Sequence, residues 1–257
     1  MKKIFLVLVL ITIFLVSCTK NVQHSNISEN SNEKQNKTLL VKKTINDKFI
    51  VVNPFDLSQV SSISKFRSCV GHDYSGYNSN KEIETQRSMK HYLNGISSAV
   101  GYNNKIKVYA PFDGKISYID DDFASFEGNQ RGQQIWISGS SAGDWVFVFF
   151  HIDLLQSIKR NTEVKSGQHI GYANLDNSPN FDIVLKKFGI FGRNTIESPF
   201  MHMSLDVINQ YKGLNLDDFI ISKSVRDSKP CPCTGEYCSF PSNSPENNPE
   251  DWVVIDN

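Results

Sequence analysis

The chain of 257 residues has no excess of either charge: 27 Lys and Arg balance 27 Asp and Glu. No basic stretch is interleaved with aromatic residues, so the footprint of a nucleic-acid binder is missing and no nucleic-acid partner is expected. There is no internal repeat of solenoid length. The serines at Ser138, Ser140 and Ser141 are not set in a Gly-x-Ser-x-Gly nucleophile elbow. No EF-hand spacing surrounds Asp120, Asp121, Asp122 and Glu127, which read as a solvated turn rather than a calcium loop. The apolar run from Ile4 to Val16 is too short to span a bilayer comfortably.

That apolar run follows Lys2 and Lys3 and ends in Leu15-Val16-Ser17-Cys18. The arrangement resembles a bacterial lipoprotein signal, with residues 1–17 removed and Cys18 acylated. Several acyl chains, each methylene worth about 0.8 kcal/mol when buried, would hold the chain on a membrane surface. Thr19 and Lys20 follow the cysteine with no acidic residue beside it, which favours the outer membrane if the source has two. Residues 18–37 are Asn, Ser, Gln, Lys and Glu with almost no large apolar side chains, a composition that cannot offset the entropy of ordering. They read as a lipidated flexible tether with a root-mean-square reach of roughly 25 Å. The expected place of work is the cell envelope.

Beyond Cys18 four cysteines remain: Cys69, Cys231, Cys233 and Cys238. An even set in an exported chain points to disulfides, and three pairings are open. The spacing Cys231-Pro232-Cys233…Cys238 fits no standard zinc pattern and has no histidine nearby.

The remaining chain reads as residues 38–226, one β-domain, followed by a cysteine-containing tail, 227–257. Thr38–Val52 alternates apolar and polar residues and predicts an opening strand or two. Lys81–Leu93 is polar, lacks that alternation and reads as a loop with a short helix. Strands are expected at about 107–110, 115–119, 133–138, 145–151 and 181–186, with short helices around 205–211 or 216–221. The strand Trp145–His151 is the most hydrophobic of the mature protein, which suggests burial on both faces. Many short strands between Gly, Asp and Asn turns make the fold class mainly β, an antiparallel sandwich or partly open barrel with short peripheral helices.

Three phrases occur in order: Val108-Tyr109-Ala110-Pro111-Phe112-Asp113-Gly114-Lys115-Ile116, Phe149-Phe150-His151-Ile152 and Val164-Lys165-Ser166-Gly167-Gln168-His169-Ile170-Gly171. Their order and spacing resemble the β-core of the lysostaphin/LytM-type zinc metallopeptidases, the duplicated hybrid motif fold, over roughly residues 66–190. That family holds zinc with a His-x-Gly-x-Asp phrase and the second histidine of a late His-x-His pair. Three such ligands leave one tetrahedral position for a water whose pKa drops to about 7.

On this resemblance Asp73 stands at the metal aspartate and Cys69 at the first metal histidine. Asp182 takes the place of the third ligand and Asn180 that of a catalytic histidine, while His151 matches the strand-end catalytic histidine. His72 would join as a ligand if the backbone bends so that it and Asp73 face one ion. A thiolate can bind zinc, but a Cys/Asp/Asp set mixes soft and hard donors. His91, His169 and His202 read as structural or exposed, His24 belongs to the tether, and Trp136 and Trp145 read as core.

The resemblance therefore implies a degenerate metal centre with no cofactor. The protein would act in cell-envelope or peptidoglycan binding, or would regulate a cell-wall hydrolase. The alternative is an active zinc endopeptidase cutting peptidoglycan cross-links with unusual ligands. A lipoyl/biotinyl-type carrier hairpin ranks last, because the Met-Lys-Met-like turn is missing.

Overall fold

The strand Gln133–Ser138 alternates half-buried and buried residues, and Trp145–Leu154 buries an unbroken run from Val146 to Phe150. These two patterns fix where the sheet sits. In a computed structural model describing residues 47–121, 131–176, 178–236, 238–241 and 244–256, eleven strands form one antiparallel sheet that does not close into a barrel. In chain order they are β1 Val60–Ser64, β2 His91–Gly95, β3 Lys107–Tyr109, β4 Gly114–Asp120, β5 Gln133–Ser138 and β6 Trp145–Leu154. There follow β7 Glu163–Val164, β8 His169–Ala173, β9 Phe181–Lys187, β10 Thr195–Glu197 and β11 Trp252–Val254. The main path runs β11-β1-β2-β9-β6-β5-β4-β7, with β10 beside β9, and β8 joining β3 to β6. The signal segment, the tether, Cys18 and residues 38–46 lie outside the described residues.

The centre of the sheet is β6 with β9, in the register Phe147↔Leu185, Val148↔Val184 and Phe149↔Ile183. Since side chains alternate, Phe147, Phe149, Ile183 and Leu185 face one core together with Ile135, Ile137 and Ile116. Val146, Val148, Phe150 and Val184 face a second, smaller cluster with Phe66, Met89 and Ile196. Both faces of β6 and β9 are thus buried, as the apolar run of β6 predicts.

Residues 81–93 do not contain a helix. They run as a loop to Met89 and Lys90 and then enter β2, because His91 and Leu93 fill the main-core side between β1 and β9. Among the described residues 47–52 there is no strand, only a bridge of Ile50 to Met203. The late helices are single turns at Leu205–Ile208 and Leu216–Phe219, with a longer one at Lys223–Ser228. No helix among the described residues is long and apolar enough to cross a membrane.

The loop between β1 and β2 covers the second face and is tied down at many points. Glu84 is buried and accepts two bonds from Arg67, at 2.7 and 2.8 Å, and one from Arg87 at 2.9 Å. Their charge holds its carboxyl below the usual range although burial alone would raise it. The C-terminal segment clamps the same loop. β11 pairs with β1, Arg226 bonds Asp251 at 2.5 Å and the Arg67 carbonyl at 2.6 Å, and Cys69 forms a disulfide with Cys231. The second disulfide joins Cys233 and Cys238.

Candidate functional site

A cross-strand row crosses the second face where the resemblance puts the metal centre. Phe150 of β6 pairs with Asp182 of β9, which in turn pairs with Tyr92 of β2. Lys90 precedes Tyr92 by two residues and shares its face. Its Nζ donates to Asp182 Oδ2 at 2.6 Å. The same ammonium lies 4.6, 4.7 and 5.1 Å from the ring centroids of Phe150, Tyr92 and Tyr74. Lys90 is 2% exposed and Asp182 0%. The second carboxylate oxygen, Oδ1, is buried without a hydrogen-bond partner among the described residues.

Burial alone would push the Lys90 ammonium down, but the Asp182 charge and hydrogen bond outweigh it and hold the pKa above its ordinary value. Burial likewise pushes the Tyr74 and Tyr92 phenols up, against the pull of Lys90, so both stay neutral. Three electron-rich ring faces and one carboxylate therefore solvate a single internal cation.

The other sequence-predicted residues surround this pair without converging. The Sγ of Cys69 is bonded to Cys231 and is not a thiolate. The Asp73 carboxylate accepts from Ser75 Oγ at 2.5 Å and from the Gln86 and Arg87 amides at 3.2 and 3.4 Å. It is thereby used in shaping its own loop. His72 is exposed, with Nδ1 3.4 Å from Tyr92 Oη. Partial burial and then the Lys90 charge lower its pKa, with Asp182 and Asp73 opposing. Gly71, at φ +74°, lets Tyr92 pass, since a Cβ there would overlap its ring. Asn180 is half-buried just before β9.

His151 sits at a fork. Its β6 neighbour Phe150 pairs with β9, whereas Ile152 pairs with Ala173 of β8, and the register against β5 slips at this point. His151 has φ +62°, as a bulge residue re-aimed out of the strand. Its Nδ1 meets the Arg131 carbonyl at 2.7 Å, which fixes the proton on that nitrogen because a carbonyl only accepts. Gly132 lies so close that a Cβ would come within 2.8 Å of the His151 carbonyl carbon.

Zinc does not fit this arrangement. No three His, Cys, Asp or Glu side chains among the described residues stand near enough to share an ion. The carboxylate best buried, Asp182, already neutralises an ammonium, and a dication beside it would meet like charge. Sequence reasoning missed Lys90, Tyr92 and Phe150. The available signal was a lysine and a tyrosine at alternate positions in Met89-Lys90-His91-Tyr92-Leu93, a strand pattern with one charge placed inside.

His91, on the opposite side of β2, is fully buried between the Ser64 carbonyl and Ser198 Oγ, at 2.7 Å each. Burial lowers its pKa from 6.5 to about 4, the Ser64 carbonyl opposing only in part. Below pH 6.5 the unfolded chain takes up a proton that the folded chain refuses. Stability attributable to His91 is therefore complete above pH 6.5 and falls by about 3 kcal/mol on reaching pH 4. Urea unfolding across that range should show the loss, and His91→Gln should flatten it. An unchanged pH slope in the variant would remove His91 as the cause.

No protein-family model matches the chain, and no curated protein matches it. Among solved structures, a chain of the SpoIIQ–SpoIIIAH pore-forming complex is 18% identical over 65% of this chain and 99% of its own, with a TM-score of 0.40. A protein from Ruminococcus gnavus named as a glycyl-glycine endopeptidase LytM is 16% identical over 44% of each chain, with a TM-score of 0.33. Lysostaphin is 18% identical over 51% of each chain, with a TM-score of 0.29. Two of these three neighbours carry the names LytM and lysostaphin. The chain spans less than half of the Ruminococcus gnavus protein, and overlaps of this size establish no activity.

Proposed function

We propose that this chain is a lipid-anchored protein of the cell envelope whose peptidase-like β-domain binds peptidoglycan peptides, or a hydrolase acting on them, without cutting. The observation that carries the reading is the Lys90–Asp182 pair: the site is built around an internal ammonium instead of a metal ion. The Cys69–Cys231 disulfide supports it by withdrawing the sulfur that would otherwise have been a ligand. A site that has lost its metal keeps the means to hold an extended peptide, since strand pairing and side-chain pockets need no ion. The anchor is the acylated Cys18, with residues 18–37 as its tether.

The test uses protein purified without an affinity-tag metal. Elemental analysis should find no stoichiometric zinc, cross-bridge peptides should stay intact, and the protein should sediment with purified peptidoglycan or with its hydrolase. About one zinc per chain, lost on Asp73→Ala and accompanied by cleavage, would replace this reading with the endopeptidase. Failure to bind either the wall or a hydrolase would overturn the binding role.

A further inference from the structure

The hairpin β9–β10 ends in an apex whose apolar side chains are exposed. Phe191 is 96% exposed, Ile190 78% and Phe188 46%. Phe191 has φ +56° and ψ 35°, a left-handed conformation that is rare for a bulky side chain and settles at sites where something else compensates. The turn closes on itself: Arg193 N–H donates to the Ile190 carbonyl at 3.3 Å, and Asn194 N–H to the Gly192 carbonyl at 2.8 Å. Gly189 N–H reaches Asn194 Oδ1 at 3.4 Å.

The charge around the apex has one sign along the chain. Lys186, Lys187 and Arg193 flank it, and no acidic residue occurs between Asp182 and Glu197. Lys187 meets Asp144 of the neighbouring loop at 2.7 Å, and the Lys186 ammonium lies 5.4 Å from the Phe188 ring. Phe188 in turn lies against Trp136 of β5, with ring centroids 4.8 Å apart, which braces the base of the hairpin on the sheet.

We infer that Ile190 and Phe191 insert into an anionic lipid surface, with Lys187 and Arg193 at the headgroups. Aromatic and aliphatic tips beside basic residues are the composition of an interfacial anchor, and cations near such a surface gain from its negative potential. The Gly189, Arg193 and Asn194 amides are bonded within the turn, which lowers the cost of bringing its backbone toward lipid. The inference rests on the envelope reading in one respect: a tether of roughly 25 Å keeps the domain within reach of the bilayer.

The test places the full chain on vesicles containing phosphatidylglycerol and lipids brominated along the acyl chain, comparing Phe191→Trp with the parent. The added tryptophan emission should be lost to bromine quenching. The loss should lessen in vesicles of neutral lipid and with Arg193→Glu. Protein that sediments with vesicles while the new tryptophan is unquenched would overturn the apex and leave the lipid anchor standing. Protein that does not sediment with vesicles would overturn both. A dimer in solution that is abolished by Ile190→Ser with Phe191→Ser would also overturn it, by assigning the apex to a second copy.

Discussion

Lys90→Met is expected to lower the unfolding free energy by about 3–5 kcal/mol, the range for removing one partner of a buried ion pair. The loss is large because Asp182 is left buried without its counter-ion and has nowhere to turn. It is fully buried, its Oδ1 already lacks a partner among the described residues, and the Tyr74, Tyr92 and Phe150 rings present faces that repel an anion. Adding Asp182→Leu to the Lys90→Met chain should recover most of the loss, since an apolar pair of similar volume is often as stable as the ions it replaces. Urea unfolding of the two single variants, the double variant and the parent closes the cycle. A single-variant loss below about 1 kcal/mol, or a double variant no better than Lys90→Met, would mean that the ammonium does not organise the site.

Opening the Cys69–Cys231 disulfide should cost about 2–5 kcal/mol, near the top of that range by chain entropy because the sequence separation is 162 residues. Cys233–Cys238 spans a separation of only 5, and its removal should cost about 2 kcal/mol or less. Paired serine substitutions, followed by thermal and urea unfolding, separate the two. The Cys69→Ser, Cys231→Ser chain should also expose the loop between β1 and β2 to proteolysis before the sheet itself unfolds. Equal losses from the two disulfides would show that the clamp on this loop lies elsewhere, in Arg226 and Asp251.

Much of the sheet was legible because its strands carry their own pattern. Gln133–Ser138 matches β5 residue for residue, and Phe181–Lys186 stops one short of β9. β2 was not legible, since its approach carries charges whose partners lie far along the chain. Lys90 pairs with Asp182 across 92 residues, and no periodicity within a short window reports that. Of the candidate site, the sequence named Asp182, as a metal ligand, and not its partner Lys90. It left the disulfide pairing open among three possibilities, because distance between sulfurs is a tertiary property. His151 was placed at a strand end, while the fork of β6 that turns it outward depends on β8 and β9 arriving from two directions.

The pairing of β1 with β11 also has a consequence in time. Ser62, Ile63 and Ser64 find their partners in Val254, Val253 and Trp252, about 190 residues further along the chain. A chain emerges from its N-terminus, and contacts between distant segments are slow to form. The first strand must therefore wait until about 190 further residues have followed it, its edge open to wrong partners. Removing Trp252–Val254 would leave that edge bare for good, and a bare strand edge is a template for aggregation.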